Sequence, residues 1–101
     1  MSQRRSYKIK KILLNDIFIS EVIIDSHYEE KHNRYMNDDL ILALVQGLDG
    51  RRELPDSFQG AYSYFATLVE YNKKKYRLVW LLENKTIYIG IINAYRDNRR
   101  S

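Results

Sequence analysis

Residues 61–96, AYSYFATLVEYNKKKYRLVWLLENKTIYIGIINAYR, decide the fold. They divide into three runs rich in β-branched and aromatic residues: Ala61 to Tyr71, Tyr76 to Glu83 and Thr86 to Tyr95. Asn72-Lys73-Lys74-Lys75 joins the first two, and a tight turn at Asn84-Lys85 joins the last two. Links this short make an antiparallel meander. Within Tyr76-Arg77-Leu78-Val79-Trp80, the two-residue period sets Arg77 on the side of Val79 and Leu81, opposite Trp80. By the same rule Asn93 and Tyr95 share a face at the end of the last run, and Arg96 points the other way.

Working upstream, Arg4 to Leu14 opens as a charged arm and then alternates weakly, with Tyr7, Ile9 and Ile12 to Leu14 suggesting a first strand. Ile17 to Ile24 is β-branched and apolar apart from Ser20 and Glu21, and reads as a second. Ser26, with Glu29 three residues on, resembles a capping box for a helix from His27 to about Arg34. Asn37 is a second N-cap, with Asp38 and Asp39 at the positive end of the helix dipole. Leu40, Ile41, Leu44, Val45 and Leu48 then form one apolar stripe at helical spacing, and Gly50 is a stop. Arg51 to Gly60 is a polar loop holding the single proline, Pro55. The expected architecture is α+β: two helices in the N-terminal half packed on an antiparallel β-meander. One domain spans 1–101, with 1–6 and 97–101 expected to be mobile.

Composition narrows the classes. The 101 residues carry 17 Lys plus Arg against 13 Asp plus Glu, a net charge of +4, and the surplus lies in the second half. Hydrophobic residues are 45% and charged residues 30%, which excludes a disordered chain. There is no cysteine, so disulfide frameworks, thiolate metal sites and cysteine nucleophiles are excluded. No apolar run reaches the roughly 20 residues of a membrane helix, and the basic start is followed by an apolar stretch broken at Asn15 and Asp16, unlike a signal peptide. A cytoplasmic protein without a membrane partner is expected. Nine tyrosines beside a basic surplus suit RNA, since cations neutralise phosphates and rings stack on unpaired bases. Tyrosine is also a good strand residue, so the same facts fit a plain sheet protein.

The densest titratable stretch is Ser26-His27-Tyr28-Glu29-Glu30-Lys31-His32. On a helix His27 and Lys31 share a face, while His32 lies about 140° further round. Two histidines five apart are not a zinc pair, so no metal and no other cofactor is expected. Two readings remain for the stretch: a solvated polar helix face, or general acid/base chemistry. An imidazole beside a cation suits metal-free RNA cleavage, in which the 2′-hydroxyl loses a proton and the leaving 5′-oxygen gains one. Arg77, in an apolar strand, is either a phosphate-binding cation or a rim residue paired with Glu70 or Glu83. Lys73, Lys74 and Lys75 form either a solvated turn or a phosphate contact.

The helix entry His27-x-x-x-Lys31-His32, the amphipathic helix and a three-strand meander closing on Tyr95-Arg96 resemble the small toxin ribonucleases. These are the RelE- and BrnT-like toxins and the colicin D-type tRNA nucleases, in the barnase, EndoU, colicin and RelE-like fold group. The resemblance covers about residues 21 to 97. It implies a metal-independent endoribonuclease toxin acting on tRNA or mRNA and restrained by a cognate antitoxin or immunity protein. Such a toxin acts in its own cytoplasm or is delivered into that of a target cell. His27, Lys31, His32, Arg77 and Tyr95 would be catalytic, and Arg96, Arg99, Arg100 and the three lysines would bind RNA. The chain departs from the pattern at Glu29-Glu30, which would repel phosphate unless turned away, and in its modest basicity. The alternative expectation is a non-catalytic RNA- or protein-binding module of the same fold.

Overall fold

A computed structural model of the chain describes residues 3–32 and 34–97. Six strands form one mixed sheet: β1 (Arg4–Leu14), β2 (Ile17–Asp25), β3 (Ser57–Gln59), β4 (Tyr62–Tyr71), β5 (Lys74–Glu83) and β6 (Tyr88–Arg96). Between β2 and β3 lie a 3-10 turn at Ser26–Tyr28 and two short helices, α1 (Glu29–His32) and α2 (Asp38–Gln46). The strand order is β1-β2-β6-β5-β4-β3. The α+β class stands. The sheet is more than a meander, because β2 runs parallel to β6 and joins the β1-β2 hairpin to β4-β5-β6.

Turn chemistry fixes the hairpins. Asn15 and Asp16 have φ of 51° and 64°, and Asn72 and Lys73 have 54° and 67°. Consecutive left-handed residues are what a two-residue hairpin with native twist requires, and Asn and Asp tolerate them best. The second turn therefore closes at Lys73, and Lys74 and Lys75 already belong to β5.

One sheet face forms the core. Ile12, Leu14, Ile19, Val22, Ile24, Leu78, Trp80, Ile89 and Ile91 are buried there against Ile41, Leu44 and Val45 of α2. Phe65 stacks on Trp80 with ring centroids 4.0 Å apart and planes 7° off parallel. The Trp80 indole N–H donates to Thr67 Oγ1 at 3.0 Å, and Thr67 donates to Glu53 at 2.9 Å, so the buried polar atoms are satisfied. Asn37 caps α2 through Leu40 N at 2.8 Å.

Several local expectations shift. The first helix splits into a 3-10 turn and a four-residue helix, and its cap is Asp25, which accepts from His27 N at 2.9 Å. Ser26 is drawn away, its hydroxyl accepting from Gln3 N at 2.9 Å. Helix α2 ends at Gly47, before Gly50, whose φ of 84° serves the following turn. The loop at 51–60 contributes β3 to the sheet edge. Arg4 to Ser6 are paired in β1 with Asp25 to Ile23. Of the C-terminal stretch, 98–101 lies outside the described residues, and Asp97 donates its backbone N–H to Lys75 O at 2.9 Å.

Candidate nucleic-acid interface

The end of the sheet where β6 finishes gathers much of the predicted chemistry. Arg77 and Tyr95 are cross-strand partners, as are Tyr76 and Arg96. The turn before β5 carries Lys73 and leads into Lys74 and Lys75 at this same end. Helix α1 brings His32 here: its ring stacks on Tyr95, with centroids 5.4 Å apart and planes 29° off parallel. His32 Nδ1 lies 2.9 Å from the hydroxyl of Tyr35. That contact engages one ring nitrogen, and the tautomer decides whether the other donates or accepts.

Arg77 donates to Asp97 at 3.1 Å, from side chains 23% and 8% exposed. Its partner is thus the residue just past β6, and not Glu70 or Glu83. Burial of Asp97 makes a cation beside it necessary, so Arg77 satisfies a carboxylate as well as facing solvent.

His27 and Lys31 do not join this group. His27 is exposed on the 3-10 turn, with Nδ1 3.3 Å from Glu30, and Lys31 is exposed on α1. Because α1 starts only at Glu29, the helical spacing that would align His27 with Lys31 is not present. Among the described residues no hydrogen bond, ion pair or ring stacking links either side chain to His32, Tyr95 or Arg77. The acidic pair of this stretch is partly offset: Glu29 accepts from Arg5, and Glu30 faces His27. Arg99 and Arg100 lie outside the described residues.

A second polar cluster sits at the start of α2. Asp38 accepts from Arg5 Nε at 2.5 Å and Nη2 at 2.7 Å, from Tyr7 at 2.5 Å and from Tyr28 at 2.6 Å. Hydrogen bonds from Arg5, then from the two phenols, outweigh desolvation and lower the Asp38 carboxyl to about 2. The guanidinium of Arg5 is held firmly protonated by the same bond, and burial plus the Asp38 contact push the Tyr28 phenol up. The Asp38 carboxylate is shared among Arg5, Tyr7 and Tyr28, and the cluster is a clamp that ties β1 and the 3-10 turn to α2.

Sequence reasoning missed Tyr35, Asp97 and the Asp38 clamp. Asp38 was legible as a helix-start acid, but its partners 10 to 33 residues away carry no local signal. Among the described residues no group of three His, Asp or Glu lies together to hold a metal, and no helix is long and apolar enough to cross a membrane. Compared with known protein families, curated proteins and solved structures, the chain matches none of them.

Proposed function

We propose that this chain is a metal-independent endoribonuclease of the bacterial toxin type, acting on tRNA or mRNA at the end of the sheet that holds His32, Tyr95 and Arg77. The supporting observation is the His32–Tyr95 stack, which sets an imidazole beside the cross-strand partner of Arg77 at the edge of a lysine-bearing turn. In this reading His32 Nε2 takes the proton of the 2′-hydroxyl. The 2′-oxygen attacks phosphorus, the bond to the 5′-oxygen breaks, and that oxygen receives a proton from a second donor such as Tyr95. Arg77, with Lys75 two residues before it on the same face of β5, stabilises the charge that builds on the phosphorane. The products are a cyclic phosphate and a 5′-hydroxyl. A cognate antitoxin or immunity protein is the expected restraining partner, and the cytoplasm the expected place of action.

Incubation with total tRNA and mRNA in excess chelator tests the reading. Cleavage to cyclic-phosphate ends supports it, and intact RNA at high protein concentration overturns it. The Arg77–Asp97 pair favours a second reading, RNA binding without turnover, because the strand cation is already partly neutralised. Salt-sensitive binding with intact RNA would select that reading.

A further inference from the structure

The face of the sheet opposite α2 holds a hollow of about 320 Å³ whose lining includes Arg4, Asp25, Tyr62, Tyr64, Tyr88 and Gly90. Its floor is Gly90 with the Leu81 side chain packed onto it: a Cβ at residue 90 would lie 3.0 Å from two side-chain atoms of Leu81, and Gly90 stands between Ile23 and Leu81 in register. Three phenol rings line the hollow around that row. Tyr62 and Tyr64 lie side by side on β4, centroids 6.4 Å apart and tilted by 42°. Tyr88 rises from β6 and donates its hydroxyl to Glu83 at 2.7 Å, which fixes its ring. Hollows of this size are at the small end of ligand sites, and a lining of apolar and aromatic groups with few polar ones is the usual composition of such a site.

Charge says what could enter. Arg4 is exposed, has no ion-pair partner among the described residues, and acts electrostatically on the Tyr88 phenol, which places it at the rim. Asp25 is half-buried, so an anion seated deep is disfavoured. The complementary ligand has a flat, uncharged ring for the floor and an anionic group at the edge. A nucleobase with its own phosphate meets both demands. Position adds a third argument. The hollow sits at the Tyr64–Leu81–Gly90 row, and the Arg77–Tyr95 pair lies four residues away along β5 and, across the bulge, five along β6, on the same face by register. Four strand residues span about 13 Å, and an extended single strand of RNA crosses that interval without folding back.

We infer that the Gly90 hollow is a base-binding subsite for single-stranded RNA, with Tyr62, Tyr64 and Tyr88 stacking on the base and Arg4 holding its phosphate. The inference rests on the RNA reading above and extends it from the sheet end across the open face. Its test separates binding from cleavage. A dye-labelled single-stranded RNA methylated at every 2′-oxygen cannot be cut, and its affinity is read by fluorescence anisotropy. The double substitution Tyr62→Ala with Tyr64→Ala weakens binding about fivefold or more, Tyr62→Phe with Tyr64→Phe binds as the wild type does, and Arg4→Gln binds more weakly with a shallower salt dependence. Circular dichroism confirms that each variant is folded. Unchanged affinity in the folded alanine variant, with RNA still cut by the wild type, overturns the subsite and leaves the nuclease standing. Tyrosine-dependent binding by a wild type that cuts no RNA supports the subsite and overturns the nuclease. Self-association abolished by the alanine pair, with RNA affinity untouched, overturns the subsite in favour of a second copy of the chain.

Discussion

The imidazole of His32 and the ring of Tyr95 stack at 5.4 Å across the junction of α1 and β6. The contact joins the least regular segment of the chain to the most regular one. Helix α1 has four residues and buries none of them, so it relies on contacts of this kind for its placement. Tyr95→Ala is therefore expected to loosen α1 as well as remove a phenol, whereas Tyr95→Phe keeps the stack. In a cleavage assay the phenylalanine variant should retain more activity than the alanine variant. Equal loss in both would mean that the hydroxyl, and not ring packing, carries the role of Tyr95.

Asp38 sets the acid limit of the fold. Its carboxyl titrates near 2 in the native state against 3.8 when unperturbed. A lowered carboxyl contributes stability above its unfolded value and loses it as pH falls through the native value. The gain, discounted for partial solvent access, is on the order of 1–2 kcal/mol. Urea melts should show a drop in stability between about pH 4 and pH 2. Asp38→Asn should flatten that slope and lower stability at neutral pH, because Arg5, Tyr7 and Tyr28 lose a shared acceptor. An unchanged acid slope in Asp38→Asn would assign the acid sensitivity elsewhere.

At the alkaline end Tyr88 is the group to watch. Burial, reinforced by the bond to Glu83, pushes its phenol up to about 12 from 10.0. A raised acid stabilises the fold below its unfolded value, and that contribution fades as pH climbs from 10 toward 12. Phenolate absorbance on alkaline titration should show Tyr88 ionising at lower pH in Glu83→Gln than in the wild type, though still above its ordinary value because burial remains.

Thr67 is the one buried polar side chain of the core among the described residues, and it serves Trp80. Thr67→Val keeps the shape and strands the indole N–H of a fully buried ring. The expected cost is about 1–3 kcal/mol, read as a shift in the denaturation midpoint followed by tryptophan fluorescence.

Arg77 offers a test of competition between structure and ligand. Asp97→Asn leaves the guanidinium less neutralised and should strengthen RNA binding while lowering stability. Arg77→Ala should weaken both, because it takes an ion-pair partner from a carboxylate that is only 8% exposed. RNA affinity that falls in Asp97→Asn would argue that Arg77 needs its partner for orientation.

Much of this fold is written in short-range patterns. The alternation of Tyr76 to Trp80 sorted Arg77 from the core, and Asn37 with the Leu40 to Leu48 stripe defined α2. Those signals are strong because burial and capping act over a few residues. The parallel pairing of β2 with β6 had no such signature, since it joins strands some 67 positions apart, as in Glu21 with Tyr88. The capping box at Ser26 misled for a related reason: Gln3, 23 residues away, claims its hydroxyl. In the site, His32, Arg77 and Tyr95 were legible as residue types, but only the fold separates His32 from His27. The Gly90 hollow was invisible, because it arises from what three strands leave empty.

The most direct measurement is the rate at which one defined RNA is cut in excess chelator by wild type, His32→Ala and His27→Ala. The account predicts cyclic-phosphate products from wild type, a rate at least about a hundredfold lower for His32→Ala, and little change for His27→Ala. Equal rates for wild type and His32→Ala, or no cleavage by the wild type, would contradict it.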